Sequence, residues 1–163
     1  MGTFSLRGLL SRRDQPRDRR RRPRIRPVDT TILLVDDSRT TLFALRRMLE
    51  QGGYRVIEAR DGESGFDLAM STSPDLALVD IVMPGMNGYQ LTRRVRREKR
   101  DEPLPIILMS GSDQASDRFW GQRLGAEDFL AKPIPRGNLF HSIERVLYPD
   151  RVAAGSEGRP APA

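Results

Sequence analysis

Residues 76–88 read LALVDIVMPGMNG. Four apolar residues end on a single carboxylate, Asp80, and Pro84, Gly85 and Gly88 then turn the chain. A run that is apolar at every position fits a strand covered on both faces, as in a parallel sheet with helices on each side. A buried, unpaired charge is costly, so a carboxylate at the tip of such a strand needs partners from elsewhere in the fold.

The same grammar repeats on either side of that stretch. TILLVDD (31–37), YRVIEA (54–59), LPIILMSGS (104–112) and DFLA (128–131) read as further strands. Between them lie helical patterns. Ser38 is placed to cap a helix whose apolar positions are Leu42, Leu45, Met48 and Leu49, and Gly52-Gly53 ends it. RDGESGFDLAM (60–70), GYQLTRRVRREKR (88–100), QASDRFWGQRLG (114–125) and RGNLFHSIERVL (136–147) supply four more. Five strand–helix pairs predict an α/β domain, a doubly wound five-stranded parallel sheet with helices on both faces. In such sheets the carboxyl ends of the strands form the binding edge, and here they carry Asp36 and Asp37, Asp80, Ser110 and Lys132.

Composition narrows the function. The 163 residues contain no cysteine, which excludes disulfides and thiolate metal sites, and fits a cytoplasmic protein. No apolar run reaches the ~20 residues of a membrane span. No phosphate-cradling G-x-x-x-x-G-K-[ST] loop occurs. The net charge of +6 is unevenly spread: residues 1–28 hold ten arginines and two aspartates, a net +8, so residues 29–163 carry −2. This separates an Arg-rich extension over 1–28, expected to be disordered, from a domain over 29–148 and a small, polar, disordered tail over 149–163. The extension has the composition to meet nucleic acid or an anionic membrane.

Three carboxylates at one sheet edge repel, and need a cation. Mg²⁺ fits because it takes oxygen ligands and combines one or two carboxylates with phosphate oxygens. Lys132 adds a point charge in a chain with 26 arginines and only two lysines, and Ser110 adds a hydroxyl donor. Carboxylate nucleophile, Mg²⁺, ammonium and hydroxyl together describe phosphoryl transfer onto aspartate.

The motifs LLVDDS, LVDIVMPGMNGYQ, ILMSG and DFLAKPI, spaced 30 residues from Asp80 to Ser110 and 22 from Ser110 to Lys132, resemble the receiver domains of two-component response regulators, CheY-like in size, across about residues 30–148. The resemblance implies a flavodoxin-like fold and a phosphoacceptor at Asp80. It also implies an Mg²⁺ site of Asp36, Asp37, Asp80 and the Val82 backbone carbonyl. Ser110 and Lys132 would contact the phosphoryl group, with a cis Lys132-Pro133 bond and an aromatic switch at Phe129. Partners would be a sensor histidine kinase as phosphodonor and a downstream protein on the face of the fourth helix, fifth strand and fifth helix. The chain would thus be a stand-alone switch, not an enzyme acting on other substrates, with no room after the last helix for an output domain.

DIVMPGMNGYQ followed by SDQASDRFWGQRLGAEDFLAKP is most similar to PilH-like receivers of chemosensory systems controlling type IV pili and twitching motility. A flagellar chemotaxis receiver, and a nucleic-acid-binding protein gated by a receiver, are the alternatives. Of the remaining features, His141 is expected to be a surface or half-buried residue with no catalytic role, and the six basic residues of TRRVRREKR (92–100) are expected on a solvated face. Of Phe119 and Trp120, one is expected to pack inward.

Overall fold

The computed structural model describes residues 27–111 and 115–149. A 3₁₀ turn at Pro27–Asp29 leads into β1 (Thr31–Val35), α1 (Arg39–Gln51), β2 (Arg55–Ala59), α2 (Gly62–Ser71), β3 (Leu76–Asp80) and α3 (Gly88–Glu98). β4 (Ile106–Ser110), α4 (Ala115–Arg123), β5 (Asp128–Ala131) and α5 (Arg136–Leu147) complete it. The sheet order is β2-β1-β3-β4-β5 and every pairing is parallel. The expected doubly wound α/β fold is therefore present. Strand order reverses between β1 and β3, so the crevice at their carboxyl ends is the natural binding edge.

Alternation along the strands divides the core into two layers. Ile32 and Leu34, Leu76 and Leu78, and Ile107 and Met109 face one side, where Leu42, Leu45 and Leu49 of α1 and Leu139, Ile143 and Leu147 of α5 cover them. Leu33 and Val35, Ala77 and Val79, and Ile106 and Leu108 face the other, against Phe66 and Ala69 of α2 and Leu91 and Val95 of α3. β3 and β4 are buried at every position, as an all-apolar run predicts, whereas the edge strand β2 leaves Arg55 and Glu58 exposed. Edge strands need only one good face, and charge on the other discourages unwanted pairing.

Local signals set the helix ends. The Ser38 hydroxyl accepts from the Thr41 amide at 3.3 Å, and Asp61 does the same for Ser64 at 2.8 Å. Asn87 and Gln90 form a reciprocal capping box that starts α3 immediately after the turn of the opening motif.

Three expectations meet different outcomes here. Pro27 and Val28, assigned above to the disordered extension, form an ordered turn in which the Thr30 amide donates to the Pro27 carbonyl at 3.0 Å. Residues 1–26 and 150–163 lie outside the described residues. Phe119 and Trp120 are both exposed, at 52% and 54%, packed edge to face with centroids 5.6 Å apart. The inward position of α4 is taken by Gly121, where even a Cβ would come within 2.9 Å of Leu108 Cδ1, so neither ring fits beneath the helix. His141 is exposed as expected. No helix among the described residues is long and apolar enough to cross a membrane.

Candidate functional site

The polar residues at the strand tips continue the alternation of the core. Asp36, Asp80 and Lys132 each stand two positions beyond a buried leucine of the α1/α5 layer, Leu34, Leu78 and Leu130 respectively. They converge. Lys132 Nζ lies 2.5 Å from Asp36 Oδ2 and 3.0 Å from Asp80 Oδ1. Asp36 is fully buried, Asp80 is 4% exposed and Asp37 is open to solvent. One carboxylate oxygen from each of Asp36, Asp37 and Asp80 lies within 4.8 Å of the other two. The Ser38 amide donates to the second oxygen of Asp36 at 2.9 Å, so both oxygens of that buried side chain are engaged.

Backbone bonds fix the rest of the edge. The Lys132 amide donates to the Ser110 carbonyl at 2.7 Å, carrying the β4–β5 ladder to the lysine, and the Lys132-Pro133 bond is cis. After Asp80 the Ile81 amide donates to Met109 and the Gly88 amide back to Ile81, closing the loop 81–87. Within it Gly85 has φ +73°, a left-handed turn that glycine adopts without strain. Val82 is 73% exposed. Phe129, partly buried, belongs to the other core layer, and the Arg118 guanidinium sits 5.1 Å from its ring centre.

Three carboxylates against one ammonium leave two negative charges uncompensated if all are ionised. Burial pushes the Asp80 carboxyl above its ordinary value; the Lys132 hydrogen bond and charge pull it down without cancelling the effect, and Asp36 and Asp37 add repulsion. For Lys132 burial disfavours the ammonium, but hydrogen bonds and charge from Asp36 and Asp80 outweigh it and raise its pKa. Both groups of one ion pair thus favour their protonated forms, Asp80 because it is buried and Lys132 because two acids hold its ammonium. An oxygen-only donor set with a twofold charge deficit fits a hard divalent cation such as Mg²⁺.

This makes a prediction for the metal-free protein. Because the folded pKa of Asp80 is raised, its contribution to stability is complete below the ordinary value of 3.8 and is lost as pH rises through the folded value. At neutral pH the ionised Asp80 therefore destabilises the fold. Asp80→Asn, melted in chelator at pH 7, should denature on the order of 5 °C higher than the parent. The gap should close as pH falls toward the ordinary carboxylate range, and Mg²⁺ should raise the parent more than the variant. A lower melting point for the variant in chelator would contradict this charge balance.

Ser110 faces elsewhere. It follows Leu108 of the α2/α3 layer, and its Oγ donates to Asp117 Oδ2 of α4 at 3.0 Å. Tyr89 of α3 donates to the other oxygen of Asp117 at 3.0 Å. Burial, with the hydrogen bond and charge of Asp117, pushes the Tyr89 hydroxyl up to about 12. Sequence reasoning did not single out Asp117 or Tyr89. An acid in the first turn of a helix is read as a favourable charge at the helix terminus, and nothing local ties it to a serine on a strand. The TRRVRREKR segment is partly solvated and partly structural. Arg93, Arg97 and Arg100 are exposed, whereas Arg94 pairs with Glu63 and stacks 3.9 Å from the Phe66 ring centre, and Arg96 reaches Glu127.

Comparison with known proteins agrees with this architecture. Residues 32–144 match the model of the response regulator receiver domain. The chain is 43% identical over 116 residues to protein PilH of Pseudomonas aeruginosa strain PAO1, covering 71% of this chain and 96% of that protein. It is 41% identical over 116 residues to the response regulator GtcR of Aneurinibacillus migulanus, covering 71% of this chain but only 46% of that longer protein. Among solved structures, a putative response regulator from Chloroflexus aurantiacus J-10-fl superposes with a TM-score of 0.69 at 33% identity, over 72% of this chain and 97% of that one. The chain belongs to the receiver-domain family of two-component response regulators. Within it the chain is PilH-like.

Proposed function

We propose that Asp80 accepts a phosphoryl group from the phosphohistidine of a sensor histidine kinase. A carboxylate oxygen of Asp80 would attack phosphorus, the P–N bond would break, and the departing histidine nitrogen would keep the electron pair and take up a proton. Asp36, Asp37 and Asp80 are the side chains to hold Mg²⁺, with the Val82 carbonyl completing the protein's share. When bound, the ion would neutralise negative charge around the transferring group. Lys132 is placed to follow a phosphoryl oxygen, since its amine already lies 3.0 Å from Asp80. Ser110 supplies a neutral hydroxyl donor, and Phe129 the aromatic group that changes position with it. Positioning and electrostatics then account for most of the rate.

The observation that carries this reading is the shared ammonium: Lys132 contacts two buried acids from different strands, in a cluster two charges short of neutral. The test is chemical. Incubated with acetyl phosphate and Mg²⁺, the wild type should gain one phosphoryl group by intact mass, and Asp80→Asn none. Equal labelling of both would place the nucleophile elsewhere.

The likeness to PilH supports a place in the chemosensory control of type IV pili and twitching, with output through protein contacts on α4, β5 and α5. The exposed Phe119–Trp120 pair on α4 supplies the kind of aromatic anchor that dominates protein interfaces.

A further inference from the structure

Two consecutive residues in the first half of α4 touch two different residues expected to respond to phosphorylation. Asp117 accepts the Ser110 hydroxyl at 3.0 Å, and the Arg118 guanidinium lies 5.1 Å from the centre of the Phe129 ring. Asp117 is itself gripped from α3, because the Tyr89 hydroxyl reaches its Oδ1 at 3.0 Å and lies 3.3 Å from its backbone carbonyl. Immediately beyond come the exposed rings of Phe119 and Trp120. A serine hydroxyl has one hydrogen to donate. While that hydrogen points to Asp117, it is not available to an oxygen carried by Asp80.

We propose that Asp117 is a latch for the unphosphorylated state, a positioning residue that holds the Ser110 hydroxyl on α4 until a phosphoryl group on Asp80 takes it. This rests on Asp80 being the phosphoacceptor. Two anionic acceptors compete for one donor. A phosphoryl group offers several strong acceptor oxygens and carries more negative charge than a carboxylate, so it competes for the hydrogen that Asp117 holds. Once Ser110 lets go, Asp117 keeps its bond to Tyr89 and loses the one to Ser110 on β4. The α4 turn bearing Arg118, Phe119 and Trp120 then loses one of its ties to β4, while Gly121 stays packed on Leu108. The surface that changes is thus the one carrying the exposed rings.

The energetic consequence can be measured. Part of the binding energy of any phosphoryl group is spent on breaking the Ser110–Asp117 bond, so removing the latch should make the active arrangement easier to reach. Beryllium fluoride with Mg²⁺ serves as a phosphoryl analogue, and Trp120, the only tryptophan in the chain, reports on α4 by its emission. Asp117→Ala should bind the analogue about tenfold more tightly than wild type, the worth of one hydrogen bond to a charged group. Its emission before the analogue is added should already be displaced toward that of the bound wild type. Asp117→Asn, which keeps the shape and one neutral acceptor, should give a smaller gain of about threefold and covers the case in which the alanine variant folds poorly.

The gain should vanish when Ser110→Ala is combined with either variant, since the latch then has nothing to hold. Unchanged or weaker binding by both Asp117 variants, with native far-ultraviolet circular dichroism, would overturn the proposal. So would a gain that persists without Ser110. Failure of the phosphoacceptor reading is a separate result: the wild type would then bind the analogue no better than Asp80→Asn, whereas failure of the latch alone leaves wild-type binding intact.

Discussion

Lys132→Ala should lower the stability of the metal-free protein by roughly 3–5 kcal/mol, the usual cost of removing one partner from a buried ion pair. The reason lies in what stays behind. Asp36 is fully buried and Asp80 nearly so, and the amine 2.5 Å and 3.0 Å from them is the only lysine or arginine nitrogen to which either is salt-bridged among the described residues. Without it two carboxylates face each other across the β1–β3 crevice. In a domain of this size the loss corresponds to on the order of 10–20 °C in melting temperature.

Two further readouts separate this from simple loss of packing. The pKa of Lys132 is raised in the fold, so its contribution is complete through neutral pH and is lost only as pH rises past the ordinary lysine value of 10.5. Toward acid the gap between wild type and variant should narrow, as the orphaned carboxylates take up protons. Mg²⁺ should restore more stability to Lys132→Ala than to wild type, because the variant's cluster is one positive charge poorer. A variant within about 1 kcal/mol of wild type, with the same response to Mg²⁺, would show that the amine does not hold the acids together.

Gly88→Ala should cost about 3 kcal/mol, at the upper end of what overpacking does, and should also suppress phosphoryl labelling of Asp80. A Cβ at Gly88 would lie 2.3 Å from the Asp80 carbonyl oxygen, 2.8 Å from Ile81 Cα and 3.0 Å from the Asp80 carbonyl carbon. All three are backbone atoms at the end of a fully buried strand, with no flexible side chain to yield. Relief must come from moving α3 away from β3 or from displacing Asp80, and the hydrogen bond from the Gly88 amide to Ile81 would be strained either way.

Two other glycines calibrate this expectation. Gly85→Ala meets no atom within 4 Å but is held at φ +73°, so it should lose about 1 kcal/mol through backbone strain. Gly137→Ala, in α5 with open space and no left-handed conformation, should gain up to about 1 kcal/mol. Urea denaturation of the three variants would test this order. Finding Gly88→Ala no worse than Gly85→Ala would mean that α3 does not press on the Asp80 backbone.

Much of the candidate site was legible because each of its parts ends a strand. Apolar runs in ILLVDD, LALVD and ILMS mark buried strands and DFLAK a partly buried one, and the first polar residue after each run stands at the strand's carboxyl end. Parallel pairing puts those edges together, and the alternation of side chains carries Asp36, Asp80 and Lys132 to the same side. Less was legible on α4. Its register relative to the sheet turns on Gly121 fitting against Leu108, a contact between residues 13 apart in sequence with no periodic signature, and so both aromatic rings point outward.

The amino-acid sequence by itself determined which stretches form strands and helices, where the first helix is capped, and which polar groups reach the binding edge, because period, capping and turn chemistry are local properties of the chain. Only the tertiary structure decided how one amine is shared between two buried acids, which glycine gives way to a neighbouring backbone and which merely turns, and that Ser110 spends its hydrogen on Asp117. Those depend on distances between atoms far apart along the chain, and such distances follow from packing, not from pattern.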